Sequence, residues 1–252
     1  MCSFNGMNKA LILTPCCKDK QESAISFQRR SEPVRGTQPL RDQLLREIKL
    51  TPEIANRREN QDGILNPSSR LTKALDLYTG QFYKAAGDSL RKMAEGRYNT
   101  IDVLIISAIY GLVKLDEGLK KYEVKMGDAL HNGIKIYKFW QQQKLGHILG
   151  KYIEEHAVTH VWSLLPDSMP ETPYNRVLNQ LWEELRNSRV ECYWVKLTPS
   201  QGSGTSYKRG QWLKAVLERV LDSTTKLLTG EPPPERFGEI PESSFYYQVL
   251  NR

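Results

Sequence analysis

IDVLIISAIYGLVKLDEGLKKY, residues Ile101 to Tyr122, carries a branched apolar run from Val103 to Ile106. The run is too short for a helix and suits a strand buried on both faces. Such a strand needs covering elements above and below it. At its carboxyl end the composition turns to Ser107, Ala108, Tyr110 and Gly111, then to Leu112 and the acidic pair Asp116 and Glu117. In open α/β sheets that end is where ligands bind, because the loops there are free of the packing that fixes the strand. The same residues also suit an ordinary strand followed by a turn that needs Gly111.

Similar punctuation recurs on either side. Ala10 to Thr14, closed by Pro15, reads as a first buried strand, and it runs into Cys16, Cys17, Lys18, Asp19 and Lys20. Two cations flanking a carboxylate can hold an anion and keep Asp19 ionised by Coulomb attraction; a solvated loop is the plain alternative. Val158 to Leu165 reads as a third strand, followed by Pro166, Asp167, Ser168 and Met169. Val190 to Leu197 reads as a fourth, followed by the loop Gln201 to Ser206, which contains Ser203, and a helix from Tyr207 to about Leu228. A Gly and Ser loop at a helix start offers free N–H groups and a positive dipole end to phosphate, with Lys208 and Arg209 in the first turn. No true phosphate-loop motif is present.

Helical spacing falls between these strands. It covers Leu71 to Tyr78, Gln81 to Glu95, a long run from Gly133 to His156, and Thr172 to Asn187. Tyr78, Phe82 and Tyr83 fit that periodicity as core residues. Strands joined by helices should be parallel with right-handed crossovers, which brings their carboxyl ends to one edge. The expectation is a three-layer α/β single domain over residues 1–229 with a central, mostly parallel four-stranded sheet. Residues 21–66 form an Arg-rich insertion containing Arg29-Arg30 and Arg57-Arg58, with short amphipathic segments at Leu40 to Ile48 and Pro52 to Arg58. Residues 230–252 form a Pro-rich tail, held to the domain by Phe245, Tyr246 and Tyr247.

Composition narrows the function classes. The 252 residues are 39% hydrophobic and 26% charged, ordinary for a soluble globular protein. No apolar run approaches the roughly 20 residues that span a bilayer, and MCSFNGMNKA lacks a signal-peptide core, so the expected location is cytoplasmic, without a membrane partner. Cys2, Cys16, Cys17 and Cys192 lack zinc-ligand spacing and read as reduced thiols, and the four histidines show no metal pattern. No metal and no cofactor is expected. The net charge of +7 favours an anionic partner such as nucleic acid. Lys18 to Lys73 holds 12 Lys plus Arg against 8 Asp plus Glu, four of that excess of seven. No Ser/His/Asp or Cys/His order stands out, and no obligate protein partner is evident.

Several motifs together carry a family resemblance: YTGQFYKA, LIISAIYGLVKLDEGLKKYEVKMG, YKFW and the Lys208-Arg209-Gly210 helix start. Over roughly Ala10 to Leu217 the chain resembles the YaaA-like peroxide-stress family, a group described as DNA-binding. TPCCKDK and the YGL module also resemble uracil-DNA glycosylase-like proteins and antiphage base-excision enzymes. The usual glycosylase motifs after the first and last strands are absent, with CCKDKQ and GSGTSYKRG in their places.

The second resemblance implies a uracil-DNA glycosylase-like fold and a DNA glycosylase that removes a modified base, such as modified cytosine in phage DNA. The target nucleotide would be flipped into a pocket at the sheet edge. Asp19, Asp167 or Asp116 would orient water or stabilise the cationic sugar. Cys17, Tyr78, Ser107, Tyr110, Gly111, Tyr122 and Ser168 would form the base pocket. Lys18, Lys20, Arg29, Arg30, Ser203, Ser206, Lys208 and Arg209 would grip phosphate. The alternatives are a non-catalytic DNA-binding stress protein of the YaaA type and an enzyme acting on free nucleosides or nucleotides.

Overall fold

The computed structural model describes residues 9–23, 32–95, 100–166, 174–197, 204–218 and 245–250. The first half supplies β1 (Ala10–Pro15), α1 (Gln38–Lys49), α2 (Pro52–Ala55), α3 (Arg58–Asp62), β2 (Thr72–Lys73), α4 (Ala74–Leu77) and α5 (Gln81–Ala94). Next come β3 (Ile101–Ser107), β4 (Gly111–Lys114), β5 (Gly118–Leu119), α6 (Ile136–Gln142), α7 (Leu145–Glu155) and β6 (His160–Ser163). The remainder forms α8 (Tyr174–Val177), α9 (Asn179–Glu184), a 3-10 turn at Leu185–Asn187, β7 (Glu191–Leu197), α10 (Thr205–Glu218) and β8 (Phe245–Val249).

The result is a mixed α/β domain around one mostly parallel sheet. Its strand order is β4-β3-β1-β6-β7-β8, with β2 and β5 pairing separately as a two-stranded antiparallel ribbon. The four strands expected from the apolar runs are its centre: β1 pairs in parallel with β3 and β6, and β6 with β7. Leu11, Ile12 and Leu13 in succession are fully buried, as a strand covered on both faces requires. Each contributes roughly 1.5–3 kcal/mol of burial.

Two antiparallel edge strands raise the described sheet from four strands to six. β8 adds onto β7, and β4 adds onto β3 after a tight turn. Gly111 makes that turn possible with φ of 65°, and a Cβ there would lie 3.0 Å from the Trp140 ring. The turn has a consequence for the site. Because β4 runs back along β3, with Lys114 opposite Leu104, Asp116 is carried towards the amino ends of the parallel strands.

Two helical expectations change. The run from Gly133 to His156 is broken by Lys144, whose φ of 55° is left-handed, so α6 and α7 pack separately. Trp140 is anchored through its indole N–H to the Ala108 carbonyl at 2.8 Å, and Gly146 packs against the Leu181 backbone. Leu71 to Tyr78 becomes a two-residue strand and a single turn, because β5 and the connection leading into it capture its backbone. The N–H groups of Ala74 and Leu75 donate to Glu117 and Leu115 at 2.8 and 3.0 Å.

Residues 32–66 pack into the domain. Leu44, Ile48, Ile54 and Ile64 are buried, and Arg41 on α1 is buried against Glu117. α10 lies close against α5 because Gly210 has no side chain: a Cβ there would meet the Phe82 carbonyl at 2.2 Å. That approach brings the first turn of α10 to the start of α5 at the carboxyl edge of the sheet. Tyr247 on β8 meets the buried Trp162 ring edge-on, 5.8 Å between centroids. Among the described residues no helix is long and apolar enough to cross a membrane.

Candidate functional site

A cleft of about 400 Å³ opens at the carboxyl edge. One wall is the chain leaving β1, Pro15 to Lys20; opposite lie Gly80 to Phe82 at the start of α5 and Glu123 to Met126. Pro166 after β6, Tyr174 at the start of α8 and Ser206 in the first turn of α10 complete it. Parallel strands end here, so their loops converge without obstructing one another.

The loop after β1 is held by its own polar groups. The Cys16 N–H donates to the Ile106 carbonyl at 3.0 Å, continuing the pairing of β1 with β3. The Cys17 thiol donates to the Asp19 carbonyl at 2.9 Å and accepts from the Gly80 N–H at 3.3 Å. Gly80 permits this approach, since a Cβ there would come within 2.8 Å of the Cys17 Cβ. The Lys20 ammonium donates to the Cys17 carbonyl at 2.7 Å and sits 4.0 Å from the Tyr122 ring centroid. That is a cation–π contact at a partly desolvated site. Burial lowers the Lys20 pKa. Burial likewise pushes Cys17 up to about 11.

Beneath Lys20 lies a layer of hydroxyls. Tyr78 and Tyr122 share a hydrogen bond of 2.9 Å, and Tyr122 and Ser107 one of 2.8 Å, all buried. Tyr83 donates to the Pro15 carbonyl at 2.9 Å, and Tyr174 lies 3.1 Å from the Cys16 sulfur. Burial raises all four tyrosines well above the ordinary phenol range. They stay neutral and act as hydrogen-bonding groups.

Of the residues singled out from sequence, Cys17, Lys18, Asp19, Lys20 and Ser206 line the cleft, with Tyr78, Tyr122 and Ser107 in the layer beside it. Tyr110 is next to that layer, edge-on to Tyr122 at 5.5 Å, but its hydroxyl is engaged by the Lys120 backbone and it faces a second cavity with Arg41. Gly111 faces Trp140 rather than the cleft. Asp116 lies at the far end of the sheet, where it adds to the potential felt by Tyr152 beside Asp102. Arg209 is buried on α10 and Lys208 is half-buried one residue earlier. Asp167, Ser168, Ser203, Arg29 and Arg30 lie outside the described residues.

Glu123, Lys125, Met126 and Tyr174 line the cleft without having been singled out as site residues. The first three lie in KYEVKMG, which carries no strand-end signal of its own. Tyr174 read as one more helical residue. Among the described residues no group of three or more His, Cys, Asp or Glu is placed to hold a metal ion.

An α/β domain with a mixed-charge cleft at the carboxyl edge of its parallel strands is the class these features define. A family model described as "Peroxide stress protein YaaA" matches residues 12–227, and the chain belongs to that family. It is also similar to the UPF0246 protein lpl1317 of Legionella pneumophila (strain Lens), 24% identical over 175 residues. That alignment covers 68% of this chain and 66% of the relative's length. The family match corrects the expectation of a DNA glycosylase, a hydrolase and an antiviral factor. It favours the alternative, a stress-response protein of the YaaA type.

Proposed function

We propose that this chain is a DNA-binding protein of the peroxide-stress response, acting in the cytoplasm through the cleft at the carboxyl edge. The observation that carries the reading is the gathering of Lys18, Lys20 and Lys125 around one cleft, beside Ser206 in the first turn of α10. Three ammonium groups beside a helix start suit backbone phosphate. Asp19 and Glu123 stand among them, so the cleft favours anions held at particular points over a uniform anionic surface. The formal net charge of +7 adds long-range attraction. The family supplies the physiological setting.

The test is fluorescence anisotropy with a labelled duplex over a salt series. Three phosphate contacts give a log–log slope of about −2.7, so affinity falls roughly 40-fold for a fourfold rise in salt. Failure to bind duplex at low salt overturns the reading.

A further inference from the structure

We propose that the adjacent thiols of Cys16 and Cys17 form a peroxide-reactive pair that closes to a vicinal disulfide, with a hydroperoxide as oxidant. The proposal rests on the peroxide-stress reading for its oxidant alone; nothing in it requires nucleic acid.

Both residues line the cleft and neither is fully buried, so a molecule as small as hydrogen peroxide reaches them. Cys192 differs: it is buried in β7, and burial raises it to about 12. The two cleft thiols have unequal surroundings, which assigns them unequal roles. Cys16 faces the Tyr174 hydroxyl at 3.1 Å, a group able to donate to a thiolate. Cys17 already donates its proton to the Asp19 carbonyl, and burial pushes its pKa up to about 11, so it remains a thiol near neutral pH. A thiol whose proton is already engaged is the slower to attack, which makes Cys16, facing the Tyr174 hydroxyl, the reacting sulfur and Cys17 the resolving one.

The steps balance. The Cys16 sulfur attacks one peroxide oxygen, the O–O bond breaks, and Cys16 becomes a sulfenic acid as one water leaves. The Cys17 sulfur then attacks the Cys16 sulfur, its proton leaves with the sulfenic hydroxyl as a second water, and the S–S bond forms. Two thiols lose two electrons and the peroxide gains them. Adjacent Cα atoms lie ~3.8 Å apart, below the usual ~4.4–6.8 Å of disulfides, so the bridge is strained and easily reduced. That suits a reversible mark. Closure also draws the Cys17 sulfur away from the Gly80 N–H, at the point where the loop carrying Lys18 and Lys20 meets α5.

The test treats the whole protein with stoichiometric hydrogen peroxide, blocks remaining thiols, and maps peptides by mass. The expected result is loss of two hydrogens from the peptide spanning Cys16 and Cys17, reversed by dithiothreitol, with Cys192 still alkylated. Cys17→Ser stops at a Cys16 sulfenic acid that dimedone captures, while Cys16→Ser slows oxidation of Cys17 by about tenfold or more. Hydrogen exchange at the Gly80 amide quickens on oxidation. The proposal is overturned if both thiols remain alkylatable, if dimedone finds no Cys16 adduct in Cys17→Ser, if Cys17 oxidises as fast without Cys16, or if Gly80 exchange is unchanged. None of these readouts involves DNA, so failure here and failure of DNA binding are told apart.

Discussion

Arg41→Met breaks the most buried ion pair among the described residues. The Arg41 and Glu117 side chains are 7% and 3% exposed, and they form an ion pair inside the domain. Arg41 also donates to the carbonyls of Tyr110 and Leu112, both at 2.6 Å, so one guanidinium ties α1 to β4 and its turn. In Arg41→Met the Glu117 carboxylate stays buried, with the Lys114 N–H at 3.3 Å as its remaining hydrogen bond. Leaving a buried charge uncompensated costs about 3–5 kcal/mol. In urea this is a midpoint shift of roughly 1 M or more, with the slope unchanged. Glu117→Gln keeps an acceptor but leaves the guanidinium buried without its counter-charge, and it too costs about 3–5 kcal/mol. The double variant Arg41→Met, Glu117→Leu removes both charges and is more stable than Arg41→Met alone. Equilibrium urea unfolding of all three variants measures the order. An Arg41→Met variant within about 1 kcal/mol of wild type, or a double variant less stable than that single one, refutes the reasoning.

Two further outcomes are expected. Gly210→Ala forces a methyl onto the Phe82 carbonyl and lowers stability by about 1–3 kcal/mol, whereas Gly127→Ala, with nothing within 4 Å of the new Cβ, is close to neutral; thermal unfolding compares them. His160, buried at the start of β6, has its pKa lowered by burial despite the pull of Glu191. Its neutral form is the one the fold accepts, so the unfolded chain binds the proton more tightly. Stability from this group is complete above the unfolded value of about 6.5 and falls as pH drops from there towards the lower folded value. His160→Gln removes that part of the decline, read as urea midpoints at pH 7.5 and 5.5.

The centre of the sheet was legible because strands covered on both faces tend to be continuously apolar, and ALILT and VLII say so directly, while VTHVWSLL carries enough apolar bulk around Thr159, His160 and Ser163 to read the same way. The edges were not. β4 depends on a left-handed Gly111 whose turn returns the chain along β3, and GLVK alone does not distinguish a returning strand from a loop. That one turn decides that Asp116 lies at the far end from Asp19. Lys144 breaks a helix without a Gly or Pro to announce it. The cleft was half legible: the residues after β1 stood out by charge, whereas Glu123, Lys125 and Tyr174 reach it through tertiary packing, which periodicity does not encode.

The proposed DNA binding belongs to the cleft rather than to diffuse charge. The most direct measurement compares duplex affinity and salt slope for Lys18→Glu, Lys125→Glu with those for Lys138→Glu, Lys151→Glu. The second pair makes the same charge change at exposed sites outside the cleft. The cleft pair is expected to lose more than about tenfold in affinity and about 1.8 in salt slope, while the outside pair stays within about threefold of wild type. Equal losses in the two double variants, or full affinity in the cleft pair, contradict it.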